Sequence, residues 1–309
     1  ALEEASEIVS DLDNWREVWP SLIEKVNSQR IELRVSSLQS MNKILTARYI
    51  QFEEIEPFLE DTMSALHDPI MNKASREEHD EALGVMCNLS LNTFAQFEPY
   101  AQIFLDDILP TLPDLTEDES FRFFTIAFLV SISVSHQDLC MKAFDSLYNL
   151  IINKKSRTTD FTEQMIASCI RAIGLLVSSF PDEVLADTLY SKLLALINLA
   201  ISNQKPLVIL AAIDLIPIIY EAVITIESQG ETEEAVNAIK SKQFVSSYKG
   251  KLADLGSDLA KKADQKAVKS RVNEIFEIFN YDTIEDSSLT EGATESIVLN
   301  SQEIQVVGV

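Results

Sequence analysis

The sequence predicts an all-α chain built as a right-handed α-solenoid, with a short β-prone C-terminal end. Three observations carry that expectation. Gly and Pro number only seven and nine in 309 residues, too few for the hairpins of an all-β chain. Apolar residues recur at helical spacing in block after block. The most apolar helix of each pair returns at Leu33 to Leu45, His79 to Leu91, Phe121 to Ser133, Met165 to Ser178 and Leu207 to Ile219, with starts 46, 42, 44 and 42 residues apart. A period of about 40 to 47 residues with two or three helices per unit is that of HEAT and armadillo-like repeats, each burying its face only against its neighbours. An irregular helical bundle, the alternative, would lack a regular spacing.

Taken in order, Ala1 to Val9 is a short amphipathic lead, and Asp11 to Asn14 offers caps for a helix carried by Trp15, Val18, Trp19, Leu22, Ile23 and Val26. Pro20 marks either a bend in that helix or its first turns. Leu33, Val35, Leu38, Met41, Ile44 and Leu45 form the face of the next helix, and Phe52, Ile55, Phe58, Leu59, Met63 and Leu66 that of a third. Ser75-Arg-Glu-Glu78 is a capping box opening EEHDEALGVMCNLSL, and Thr116-Glu-Asp-Glu119 is a second box ahead of FRFFTIAFLVSISV. Their partners are Phe97 to Leu112 and Gln137 to Ile152. After the polar loop Asn153 to Thr159 come QMIASCIRAIGLLVSSF, EVLADTLYSKLLALINLAI and PLVILAAIDLIPIIYEAVITI. Within the last, Asp214 and Pro217 read as a solvated or capping position and a kink.

The solenoid spans 1–235, and a basic helical capping segment spans 236–281. Lys240 to Phe279 holds nine of the 25 Lys and Arg residues of a chain whose net charge is −24. Gly250 and Gly256 divide it into helices at Ala235 to Tyr248 and Ser257 to Phe279, with Ser257 as N-cap. Lys262, Lys266 and Lys269 lie in one stripe at spacings of four and three, followed by Arg271. Val272, Ile275, Phe276 and Phe279 give an apolar face only in the last two turns, so that end docks. Residues 282–309 read as a linker, DTIEDSSLTEGATE, and the start of a truncated C-terminal region, ESIVLNSQEIQVVGV. The absence of an initial Met and the final VVGV are those expected of a portion of a longer polypeptide.

The acidic body is unsuited to binding nucleic acid through its general surface, because phosphate binding needs clustered cations. Cys87, Cys140 and Cys169 are unclustered and sit in apolar patterns, as reduced core thiols do. The longest apolar runs fall short of a membrane span, so a cytoplasmic or nuclear protein is expected. His67, His79 and His136 are isolated and read as surface or loop residues. The paired acids Glu53-Glu54 and Glu77-Glu78 read as solvated helix starts. No nucleophile elbow, phosphate loop or dinucleotide fingerprint occurs. An enzyme is not expected, nor a cofactor, a metal or a small-molecule substrate.

Arg34, at the head of RVSSLQSMNKIL, resembles the Arg of HEAT helices, and EALGVMCNLS resembles the armadillo core helix with Asn88 at its inner Asn. Together with SQRIELRVSSLQSMNKILTARYIQFEEI, the pair from Cys169 to Ala222 and KADQKAVKSRVNEIF, these make the chain resemble the interferon-related developmental regulator family. Lys262, Asp264, Lys266, Lys269 and Ser270 stand at that family's Lys, Asp, basic and Ser positions. Gln265, Ala267, Val268, Val272 and Asn273 depart from its more basic, Phe-containing pattern. The resemblance implies regulatory binding without catalysis, through transcriptional co-regulation or binding of non-translating ribosomes.

The expected function is therefore a non-catalytic adaptor on a large ribonucleoprotein or chromatin assembly. Solenoid surfaces, with Arg34 and Asn88, would meet protein partners, while Lys262, Lys266, Lys269 and Arg271 would meet RNA or another anion. The alternative is an acidic helical-repeat chaperone or transport adaptor for a basic client such as a ribosomal protein.

Overall fold

The structure is a computed structural model that describes residues 14–71, 75–116, 121–132, 137–156, 158, 160–203, 205–229, 245–246, 248–251 and 266–288. Those residues form twelve α-helices and no strand: α1 (Trp15–Val26), α2 (Ile31–Ala47), α3 (Phe52–Met71), α4 (Arg76–Thr93), α5 (Glu98–Ile108), α6 (Phe121–Ile132), α7 (Gln137–Ile152), α8 (Glu163–Val177), α9 (Tyr190–Asn203), α10 (Pro206–Ile213), α11 (Leu215–Gln229) and α12 (Lys266–Ser288). They stack as an α-solenoid of two layers. In the first, α2, α4, α6, α8, α10 and α12 each pack on the next. In the second, α1, α3, α5, α7, α9 and α11 cover their partners in pairs, so that the apolar helices singled out by period share neighbours on both sides.

One continuous apolar core runs through the stack. It starts at the N-terminal end with Trp15 and Trp19, whose rings meet edge to face at 5.9 Å. The indole of Trp19 donates to Thr62 Oγ1 at 3.0 Å, which fixes α1 on α3 through a satisfied buried donor. Gly84 lets α4 approach α2 closely. A Cβ there would stand 3.0 Å from Asn42 Nδ2.

Two expectations change in the second half. The run Leu207 to Tyr220 is two helices, broken at Asp214, because Pro217 has no N–H to give the carbonyl of Ile213. Val184–Ser202 and Pro206–Thr225 are also long and apolar enough to cross a membrane by length and composition, contrary to the expectation above. Both lie in the solenoid, and the second is broken at Asp214 and packed between α8 and α12.

At the far end α12 docks on α10 and α11 through Val268, Val272 and Ile275, all buried. Each such side chain contributes about 1.5–3 kcal/mol relative to exposure. The helix continues to Ser288, past the expected stop at Phe279 and into DTIEDSS. Polarity suggested a linker there, but no Gly or Pro stands between Ser257 and Glu291 to end a helix. The Ser257 cap and ESIVLNSQEIQVVGV lie outside the described residues, as does most of the helix expected at Ala235 to Tyr248.

Candidate functional site

Polar residues near the ends of first-layer helices tie α2 to α4, α4 to α6, α8 to α10 and α10 to α12. Ser75 caps α4 by accepting from the Glu78 N–H at 3.1 Å. The Glu78 side chain turns away from the cap and takes a two-pronged bond from Arg34 of α2, Nε to Oε1 at 2.5 Å and Nη2 to Oε2 at 2.9 Å. Arg34 Nη1 also donates to the carbonyl of Ser28 at 2.9 Å. Its pKa is raised, first by the hydrogen bond to Glu78.

One residue on, His79 faces α6. Arg122, 1% exposed, donates through Nε to His79 Nε2 at 2.6 Å and through Nη2 to the carbonyl of Ile70. The ring of His79 therefore carries its proton on Nδ1, 3.4 Å from Asp80 Oδ1. Glu163 of α8 accepts from the Leu207 N–H of α10 at 3.0 Å, and Arg271 of α12 donates to Asp214 Oδ1 at 2.6 Å. Lower on the same face Asn88 donates to Asn42 Oδ1 at 2.9 Å, and Asn42 donates to Glu81 Oε2 at 2.7 Å.

The sequence reading placed His79 and Glu78 at the surface, and both are buried, at 4% and 2% exposure. Each is buried because an arginine from the neighbouring repeat, 43 or 44 residues away, supplies the hydrogen bonds that burial would otherwise cost. Arg122 was missed. Its signal was a single cation inside the apolar run FRFFTIAFLV.

The candidate contact residues divide into two sets. Lys266 and Lys269 are exposed on α12, next to the side chains that dock it. Lys262 lies outside the described residues. Arg271 is turned to Glu274 and Asp214, whose hydrogen bonds raise its pKa, Glu274 first. Arg34 and Asn88 face neighbouring helices as described. Lys251 is likewise engaged within the chain, donating to Asn198 Oδ1 at 2.7 Å and standing 5.3 Å from the ring centre of Tyr248.

Cys87, Cys140 and Cys169 are free thiols. Cys87 is only half-buried as a residue, yet burial pushes its thiol up to about 12. Among the described residues no group of three or more His, Cys, Asp and Glu side chains could hold a metal ion.

The family model described as interferon-related developmental regulator (IFRD) matches residues 2–275. No curated protein matches the chain. Among solved structures, the chain is similar to a designed armadillo repeat protein, YIII(Dq)4CqI, at 16% identity and a TM-score of 0.46, covering 82% of this chain and 99% of that one.

Proposed function

The chain belongs to the interferon-related developmental regulator (IFRD) family, and from that premise we propose that this helical-repeat scaffold is a non-catalytic regulatory adaptor of translation or transcription. It acts in the cytoplasm or nucleus by docking on a large ribonucleoprotein or chromatin assembly. Its solenoid meets protein, and the lysines at the start of α12 meet phosphate. The observation that carries this reading is the division of labour on α12. Val268, Val272 and Ile275 hold the helix down, and Lys266 and Lys269 point outward from the same turns. Cations on an anchored helix bind phosphate at less entropic cost than cations on a free tail.

The test is co-sedimentation of the full chain with ribosomes and with RNA across a salt series, comparing it with K262E/K266E/K269E. Binding should weaken in the variant, and the slope of log affinity against log salt should flatten by about 0.7–0.9 per lysine lost. Unchanged affinity and slope would remove the phosphate role.

A second reading is favoured by the charge of the second layer. FEEIEPFLEDTMSALHDPIM of α3 and EPYAQIFLDDI of α5 contain no Lys or Arg. A chaperone or transport adaptor for a basic client would use that surface. A pull-down returning one stoichiometric basic protein, without RNA or whole ribosomes, would select it.

A further inference from the structure

The second layer is not closed. Helices α3 and α5 scarcely touch each other, and between them lies a cavity of about 350 Å³. Its floor is Ile70 and Met86, both buried, and its walls are Met63 and Ile103. Ile103 is 61% exposed, well beyond what a core residue shows. The rim carries Glu60 on α3 and Asp107 on α5, and His67 reaches across to Asp107 at 3.3 Å.

The surrounding charge has one sign. Helix α3 carries six carboxylates and α5 three, with no Lys or Arg on either. Among them Glu54 pairs with Arg16 and Asp106 with Lys142, both from neighbouring helices. Glu60 and Asp107 remain at the mouth of an apolar slot. That combination selects a ligand carrying apolar side chains between cations.

We infer that the α3–α5 groove docks a cationic amphipathic helix of a protein partner. Anchors spaced i and i+3 or i+4 on one face of that helix enter between Met63 and Ile103, and Lys or Arg residues beside them meet Glu60 and Asp107. The flexible thioethers of Met63 and Met86 shape themselves to the anchor, so Leu, Met and Phe are all accepted. The inference rests on the protein-binding part of the scaffold reading, and it is independent of the phosphate contacts of α12.

The experiment measures binding of a fluorescein-labelled helical peptide of Leu and Lys, patterned at i, i+3 and i+4, to the full chain at about 0.15 M ionic strength. A Leu and Glu peptide of the same pattern serves as comparison. The Leu and Lys peptide should bind, and I103R and E60K/D107K should each weaken it about tenfold or more. K266E/K269E should leave it unchanged, so failure here and failure of the phosphate reading are separate results. Ile103, Glu60 and Asp107 are surface positions, and matching circular dichroism melts will show that the variants fold. The proposal is overturned if the Leu and Lys peptide does not bind, if I103R binds it as the parent does, or if the Leu and Glu peptide binds equally well. Sedimentation showing a dimer that I103R converts to monomer would also overturn it, by assigning the groove to a second copy.

Discussion

Arg34 and Glu78 show how a single pair can hold two repeats in register. Glu78 is 2% exposed, and its carboxylate depends on the two Arg34 hydrogen bonds for compensation. Replacing Arg34 with Ala should therefore cost about 3 kcal/mol in urea unfolding, the low end for breaking a buried pair, because Arg34 keeps an exposed edge. Replacing both residues with Met should recover most of that loss, since no charge is then left buried. A cost for R34A of under about 1 kcal/mol would mean that the pair behaves as an exposed one. The head position of Arg34 was legible in the sequence, because a charged residue opens an apolar helical face there. Its partner was not, since Glu77 and Glu78 are chemically alike. Only the rotation of α4 decides which of them points to α2.

At the scale of elements, the period alone located α2, α4, α6, α8 and the start of α10, because inner helices flanked on both sides must be apolar all round. Boundaries that depend on a single backbone group were harder to read. Pro217 was visible, but the break it makes at Asp214 follows from the loss of one hydrogen bond, and the break is what places the Asp214 carboxylate for Arg271. The docking of α12 is likewise an element property. Ile275 is fully buried against its neighbours, and I275A should cost about 2–4 kcal/mol. Because repeats interact only with their neighbours, that loss should be local. Hydrogen exchange should accelerate in α12 and its neighbours, α10 and α11, while α2 and α4 keep their protection. Uniform acceleration along the chain would show that the stack unfolds as one unit.

Across the whole molecule, a net charge of −24 is spread over an elongated pile of helices. Self-repulsion on that scale opposes folding, and salt screens it. Raising ionic strength from about 0.01 M to about 0.15 M shortens the screening length from about 30 Å to about 8 Å. The thermal midpoint should therefore rise, even though the same salt weakens exposed pairs such as Lys192 with Asp145 at 2.6 Å, which contribute little individually. A fall would mean that the inter-repeat ion pairs outweigh the repulsion.

By itself the sequence determined the helical class, the repeat period, the apolar helices and the contrast between an acidic body and the Lys-rich segment Lys240 to Phe279, because spacing and composition are local properties of the chain. The tertiary structure decided which polar residues are buried and with whom. Glu78, His79 and Arg122 find partners 43 or 44 residues away, a distance that only the stacking of repeats closes. It also decided that the candidate cations divide, with Arg271 engaged inside the chain and Lys266 and Lys269 facing outward. The groove between α3 and α5 belongs to the same class. Each wall is an ordinary amphipathic helix in sequence, and the opening exists only because the two helices stand apart, bridged by His67 and Asp107.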